Sequence, residues 1–416
     1  MKVGICTLGC KVNLYESEYI ISLLKDNNYE INDFNDICDI YIINTCTVTN
    51  NSDLKSRKMI NHAKKINPNA CVVVCGCYVE STNKKCDIEA DIIIGNYNKS
   101  KIIELLDEYF LNKKKISNIP DIMNINFEDM EIKAFNDRTR AFVKIQDGCE
   151  NFCSYCIIPY VRGKCRSKDK NKVLSEINTL INNNYKEIVL TGIHTGNYGK
   201  DLNTSFSILL EEILKIDNLN RLRISSIEIT ELDELFFKLL TNDKICNHLH
   251  IPLQSGSDKI LKTMNRKYNL DYYKKIINKI RDIRPDISIT TDIILGFPDE
   301  SDKDFNDTLE FVKEIEFSKI HVFPYSKRDG TVASHMSNQI DKLKKKERVK
   351  ELISLSNVLE NNYKNKFINK ELDVLIEKND KGYSYGHASN YIYLKIKDNL
   401  DVNEIYKIVI TNDMLI

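Results

Sequence analysis

Three thiols, Cys149, Cys153 and Cys156, are spaced C-x3-C-x2-C directly after a strand-like run, Ala-Phe-Val-Lys-Ile-Gln-Asp-Gly, whose closing Gly148 lets the backbone turn sharply. A loop with three thiolates can ligate three irons of a cubane [4Fe–4S] cluster and leave the fourth iron open to a small molecule. The competing chemistry is zinc, which asks for a fourth Cys or His; Cys165 is at hand. Inert buried cysteines are the remaining alternative, and three at this spacing in a glycine-flanked loop argue against chance.

A second trio is more dispersed. Cys10 sits in Thr-Leu-Gly-Cys-Lys-Val-Asn, Cys46 in Asn-Thr-Cys-Thr-Val-Thr and Cys77 in Cys-Gly-Cys-Tyr, each at the end of an expected strand. In a parallel sheet such ends converge on one edge, so three distant thiolates can share a cubane with one open iron. Structural cysteines are the alternative at such places. Cys75 competes with Cys77, which is preferred because it follows Gly76 at the strand's end while Cys75 lies inside the strand. Cys6, Cys38, Cys71, Cys75, Cys86 and Cys246 read as small buried hydrophobes.

The elements that position these thiols follow from periodicity. Over residues 1–111, strands are expected at 2–8, 40–45, 71–75 and 92–95, with helices near 14–27, 52–66 and 99–111. That alternation predicts a small open parallel α/β domain. Residues 112–138 lose the pattern and read as a linker. Strand candidates at 141–146, 187–192, 222–227, 248–253, 288–295 and 321–324 follow, separated by helical stretches such as 168–183 and 271–284. They predict a partial barrel of six β/α units with functional groups at the strands' carboxyl ends. Helical spacing over 341–366 completes a domain spanning 139–366. Residues 367–416, with strands at 372–377, 390–397 and 404–411, predict a small all-β barrel.

Composition narrows the class. The chain has 416 residues, with 60 Lys+Arg balancing 60 Asp+Glu. Zero net charge excludes a general, strongly basic nucleic-acid binder, although basic runs at 162–172 and 342–350 offer solvated faces or phosphate contacts. No apolar run is long enough to span a bilayer, and the first residues read into a strand rather than a signal peptide. A cytoplasmic location without a membrane partner is expected. There, thirteen cysteines are more often metal ligands than disulfides.

The 149–156 loop resembles the cluster loop of the radical S-adenosylmethionine (SAM) superfamily. That resemblance implies that SAM chelates the open iron, and it assigns SAM contacts to Tyr155, Gly192, Ser226, Glu228, Gln254 and Asp292. These lie in or near Thr191-Gly192-Ile193-His194, Ser225-Ser226-Ile227-Glu228, 253–257 and 292–298. The order of two cysteine trios and a terminal β unit resembles the methylthiotransferase family over nearly the whole chain. So does Ile157-Ile158-Pro159-Tyr160-Val161-Arg162-Gly163, with Arg166-Ser167 after it. The resemblance implies two [4Fe–4S] clusters, held by Cys149, Cys153 and Cys156 and by Cys10, Cys46 and Cys77, and a C-terminal TRAM domain that binds RNA. It also implies a 5′-deoxyadenosyl radical that takes hydrogen from carbon 2 of an adenine.

The sequences around Cys10 and Cys46 resemble the branch acting on threonylcarbamoyladenosine beside the tRNA anticodon, at position 37. The branch for isopentenyladenosine usually has Gln-Met-Asn after the first cysteine, and the branch for a ribosomal-protein aspartate Pro-Lys-Asn. Departures are Ile229 where the family often has Pro, Tyr160 where it often has Trp, and a short C-terminal unit. An external electron donor is implied, and the sulfur source is open. Either of the other branches, or a non-catalytic metal-dependent RNA-binding protein, is the alternative.

Overall fold

The computed structural model describes residues 1–82, 88–135 and 138–416; Cys86 and positions 136–137 of the expected linker lie outside the described residues. The first sheet contains six parallel strands, β1 (Lys2–Thr7), β2 (Glu30–Asn32), β3 (Ile40–Thr45), β4 (Cys71–Gly76), β5 (Ile92–Ile94) and β6 (Ile116–Asn118). Their order is β2-β1-β3-β4-β5-β6. β3 and β4 are buried along their whole length, as central parallel strands covered on both faces must be. Helices α1 (Lys11–Asp26), α2 (Asn50–Ile66), α3 (Cys77–Thr82) and α4 (Ile102–Asn112) connect the strands. The expected linker therefore supplies an edge strand, β6, that pairs with β5.

Six further parallel strands form an arc. They are β7 (Arg140–Asp147), β9 (Glu187–Gly192), β10 (Arg221–Ile224), β11 (His248–His250), β12 (Ser288–Leu295) and β13 (Lys319–Pro324); a two-residue β8 (Arg166–Ser167) runs antiparallel beside β7. β10 and β11 are joined by the bridges Leu222↔Ile245 and Ser226↔His250, so the row is continuous from β7 to β13. β7 and β13 do not pair, which makes this a partial barrel. Two strands stop short of the expected length. β10 ends at Ile224, where the chain turns toward a short 3-10 turn capped by Glu228. β11 ends at His250, just before Pro252, which has no N–H for a ladder. One large apolar cluster fills the barrel wall and packs its helices on it.

A 24-residue helix, Lys342–Asn365, crosses to the last unit. There β14 (Glu371–Asp380), β15 (Tyr383–Ala388), β16 (Tyr393–Ile396) and β17 (Ile405–Val409) form an antiparallel sheet ordered β16-β15-β14-β17. It has its own core, including Val374, Ile376, Leu394 and Ile410. Among the described residues no helix is long and apolar enough to cross a membrane.

Candidate active site

The buried strand β7 delivers the chain to Gly148, whose φ is +76°. A Cβ there would lie 1.9 Å from the Lys164 carbonyl oxygen, so only glycine permits this turn. The loop beyond is tied down at several points. The Cys149 N–H donates to the Gly163 carbonyl (3.0 Å), the Ser154 N–H to Met264 (3.0 Å) and the Cys156 N–H to Cys153 (2.9 Å). Burial pushes the Cys149 and Cys156 thiols up to about 12, and a charge on one thiol of the trio raises the others. Two buried thiols that resist ionisation beside a third become compatible thiolates when cations sit among them. The donor set thus fits a metal cluster. Cys165 is engaged elsewhere: its sulfur accepts from Gln146 Nε2 (3.1 Å) and lies 3.6 Å from the Asn197 carbonyl.

Polar residues surround this trio. The Cys149 sulfur is 3.5 Å from His194 Nδ1, and His194 Nε2 pairs with Glu231. Arg266 Nη1 donates to the Cys153 sulfur (3.4 Å) while Nη2 pairs with Glu228. The sequence reading identified neither histidine nor arginine as a site residue.

The second trio is built by register. Thr7 pairs with Asn44 and Thr45 with Gly76, so β1, β3 and β4 end level with one another. Cys10 follows as the N-cap of α1, Cys46 directly after β3, and Cys77 at the start of α3. Gly9 and Gly76 have φ near +100°; a Cβ on Gly9 would meet Cys46 Cβ at 2.9 Å, and one on Gly76 the Thr45 carbonyl at 2.6 Å. A charge on Cys77 would raise both Cys10 and Cys46, so the three thiols lie within electrostatic reach of one another. Burial is the larger reason that both thiols lie above their ordinary range. Cys75 instead packs among Ile42, Val73 and Ile94, and burial pushes its thiol up to about 12.

A buried ionic network locks the two trios together. Arg162, fully buried, donates through Nε to the Cys77 sulfur (3.4 Å), through Nη2 to Asn13 Oδ1 (2.6 Å), and through Nη1 to Glu16 (2.9 Å) and Asp147 (3.1 Å). Glu16 also receives Lys99 (2.6 Å) and Lys144 (2.9 Å). Burial alone would raise the Glu16 pKa, but Arg162, Lys144 and Lys99 outweigh it and hold the carboxylate below its usual range. Asn96 donates to the Cys77 sulfur (3.4 Å) and to the Val161 carbonyl (2.7 Å). The basic run 162–172 is split: Arg162, Arg166 and Lys168 are buried and paired, while Lys164, Lys170 and Lys172 are exposed, as expected of a solvated face. In the other basic run Arg348 is likewise buried, against Glu300.

A cavity of about 250 Å3 lies beside Cys156, lined by Tyr155, Gln254 and Asp292 and, across from them, by Val48 and Thr49, just beyond Cys46. Three of the six expected SAM contacts thus share one cavity. Gln254 adopts a left-handed φ of 70°, and its N–H donates to the Asp292 carbonyl (2.8 Å), fixing the pair. Of the other three, Glu228 is bound to Arg266, Gly192 packs on Gln146, and Ser226 is exposed beside its bridge to His250. On the far side, Arg328 reaches across to Asn50 (2.8 Å), Asp53 (2.7 Å) and Thr47 (2.7 Å).

Residues 143–312 match the Radical SAM superfamily, and residues 2–95 match a family described as Uncharacterized protein family UPF0004. The chain is 42% identical to the threonylcarbamoyladenosine tRNA methylthiotransferase MtaB of Bacillus subtilis, over 98% of this chain and 93% of that one. It is 37% identical to the tRNA-2-methylthio-N(6)-dimethylallyladenosine synthase of Clostridium tetani, over 98% and 93%. A similar solved structure is the radical SAM methyltransferase TsrM of Kitasatospora setae, with a TM-score of 0.60 at 12% identity over 80% of this chain and 76% of that one, a likeness of fold. A radical SAM fold brings with it a [4Fe–4S] cluster and SAM. With one relative so similar from end to end, the chain belongs to the radical SAM methylthiotransferase family.

Proposed function

We propose that this enzyme methylthiolates carbon 2 of N6-threonylcarbamoyladenosine next to the anticodon of tRNA. The observation that supports the reading is the cavity lined both by Cys156 and by Val48 and Thr49, the residues that follow Cys46 closely in the chain. Cys149, Cys153 and Cys156 hold one cubane, and Cys10, Cys46 and Cys77 hold the second. The clusters and SAM supply electron transfer, a radical able to attack an unactivated carbon, and the methylthio group; an external electron donor and a sulfur source complete the set.

The protein's own residues position and insulate. Tyr155, Gln254 and Asp292 shape the SAM side of the cavity, with Glu228, Gly192 and Ser226 at its margin. Arg266 donates to the Cys153 sulfur and holds Glu228 through its other nitrogen, and Arg162 orients the Cys77 sulfur. The target base leaves its stack to enter. The C-terminal β unit, a TRAM domain over 367–416, holds tRNA phosphates, and the enzyme works in the cytoplasm. Domain limits of 1–111, 139–366 and 367–416, with a connecting 112–138, accompany this reading.

The higher identity to the Bacillus subtilis relative favours the threonylcarbamoyl substrate, while the Clostridium tetani relative keeps the dimethylallyl substrate as the second reading. Mass spectrometry of tRNA nucleosides from cells with and without the gene decides between them. Loss of the methylthio form of threonylcarbamoyladenosine is the expected result. Loss of the methylthio dimethylallyl form instead would replace the reading, and an unchanged nucleoside profile would remove both.

A further inference from the structure

A second cavity, of about 540 Å3, lies where three parts of the chain meet. Lys11 enters from the start of α1, Arg223, His248, His250 and His321 from the barrel strands, and Tyr391 from the turn between β15 and β16. It shares a wall with the cavity at Cys156: His250 Nε2 is 3.3 Å from Asp292 Oδ2, and Asp292 lines the other space.

The charges in this chamber do not balance locally. Arg223 is committed, with Nε and Nη2 on Glu187 (2.6 and 3.2 Å) and Nη1 on the Ser389 carbonyl (3.3 Å). Lys319 and Lys364 both engage Glu360. Lys11 has no hydrogen-bond or ion-pair partner among the described residues. Lys11 is exposed to solvent as it lines this chamber. His248 donates or accepts at Nε2 with Thr290 Oγ1 (3.0 Å), but its buried Nδ1 is unpaired. Its ring stacks on Tyr391 at 4.7 Å, and that tyrosine carries the Arg223 guanidinium on its ring, also at 4.7 Å. An unpaired ammonium and an unpaired imidazole nitrogen, beside guanidinium groups already paired with Glu187 and Glu377, make a receptacle for an anion. His250, Asp292 and His321 bring ligand-type atoms within 4.8 Å of one another, but the free ammonium of Lys11 sets the chamber's field against a cation there.

We propose that this chamber binds the carboxylate of an amino-acid substituent on the substrate adenine, and that Lys11 is the residue that reads it. The inference rests on the function proposed above and names how that substrate is told from an uncharged one. The N6 substituent leaves the adenine ring one ring atom away from carbon 2. A base that presents carbon 2 beside Cys156 must therefore house its substituent in adjoining space, and the chamber behind Asp292 adjoins. A carboxylate there pairs with Lys11 and accepts from His248. A dimethylallyl group offers that ammonium no such partner.

The test uses the full-length, iron-loaded enzyme and anticodon stem-loops carrying either threonylcarbamoyladenosine or its neutral carboxamide. Wild type should bind the carboxylate form about ten- to a hundredfold more tightly, the range for one charge-assisted contact. Lys11→Gln should erase that ratio at unchanged iron content and unchanged affinity for the carboxamide; Lys11→Arg should restore part of it. Equal binding of the two stem-loops by wild type overturns the proposal, whether or not the variants fold. So does a Lys11→Gln variant that keeps the preference or loses both ligands equally. Product analysis of the same wild-type reactions separates the two levels: methylthiolation of the carboxylate stem-loop without preferential binding leaves the proposed function standing and removes only the role of Lys11. Absence of product removes both.

Discussion

Replacing Glu16 by Gln should destabilise the enzyme more than almost any other single polar change. Glu16 is completely buried and receives Lys99 at 2.6 Å, Lys144 at 2.9 Å and Arg162 at 2.9 Å. At the effective dielectric that reproduces measured pairs, each contact of this length has a gross attraction of about 5 kcal/mol. Most of that is offset by the cost of stripping water from the ions. Removing one partner from a buried pair then costs about 3–5 kcal/mol, because the orphaned charge remains desolvated. Glu16 serves three cations, so a value near the top of that range is expected. Such a loss is large beside the ~5–15 kcal/mol that holds a typical domain together. Urea unfolding of wild type, Glu16→Gln, Lys99→Met and the double variant measures it, and the double variant should recover part of the loss because one orphaned cation is gone.

The pH dependence has a definite sign. The three cations hold the Glu16 pKa below its ordinary value. Its stabilisation is therefore complete above the unfolded-state value near 4.3 and fades as the pH falls through the depressed folded-state value. The gap between wild type and Glu16→Gln should shrink in that acid window. A Gln variant within about 1 kcal/mol of wild type at neutral pH would show that the network contributes nothing net, and would refute this account of how the trios are held.

Three other outcomes follow from the geometry. Cys149→Ala should abolish 5′-deoxyadenosine formation from SAM, whereas Cys46→Ala should keep it, lose sulfur insertion and lower bound iron from about eight to about four per chain; iron analysis and product assays check both. Gly148→Ala should cost more than about 2 kcal/mol and empty the cluster loop, because its methyl would overlap the Lys164 carbonyl at a left-handed φ; denaturant unfolding and iron content report it. Arg328→Met removes the cation paired with Asp53, which keeps only its hydrogen bond from Thr47, so a loss of about 1.5–3 kcal/mol is expected in thermal or urea unfolding.

The strands that carry the site were legible where they are buried on both faces. The expected 40–45, 187–192 and 288–295 coincide with β3, β9 and β12 because these are runs rich in β-branched residues bounded by clear breaks. β15, Tyr-Ser-Tyr-Gly-His-Ala, was missed because its half-buried positions are tyrosine and histidine and its inner ones are small. β6 was absorbed into a linker because three residues at a sheet edge carry no periodicity. The proposal of the six cysteines rests on spacing and strand ends. Arg162, Glu16, Lys99 and Arg266 were not legible, since their partners lie tens to more than a hundred residues away and are chosen by docking, which local pattern does not encode. In the basic run at 162–172 the exposed Lys164, Lys170 and Lys172 fit the expected solvated face, but Arg162, Arg166 and Lys168 do not, since charge density in sequence says nothing about which charges find buried counterions.

The Glu16–Arg162 network also constrains how such enzymes can recombine. One half of it, Asn13, Glu16 and Lys99, comes with the first sheet, and the other, Lys144, Asp147 and Arg162, with the barrel. A hybrid that joins the amino-terminal part of one homologue to the barrel of another inherits a matched set only if both parents use the same charges at these places. Exchange of the two parts is thus permitted between close kin and penalised across wider divides, so the pair should travel through evolution as one block.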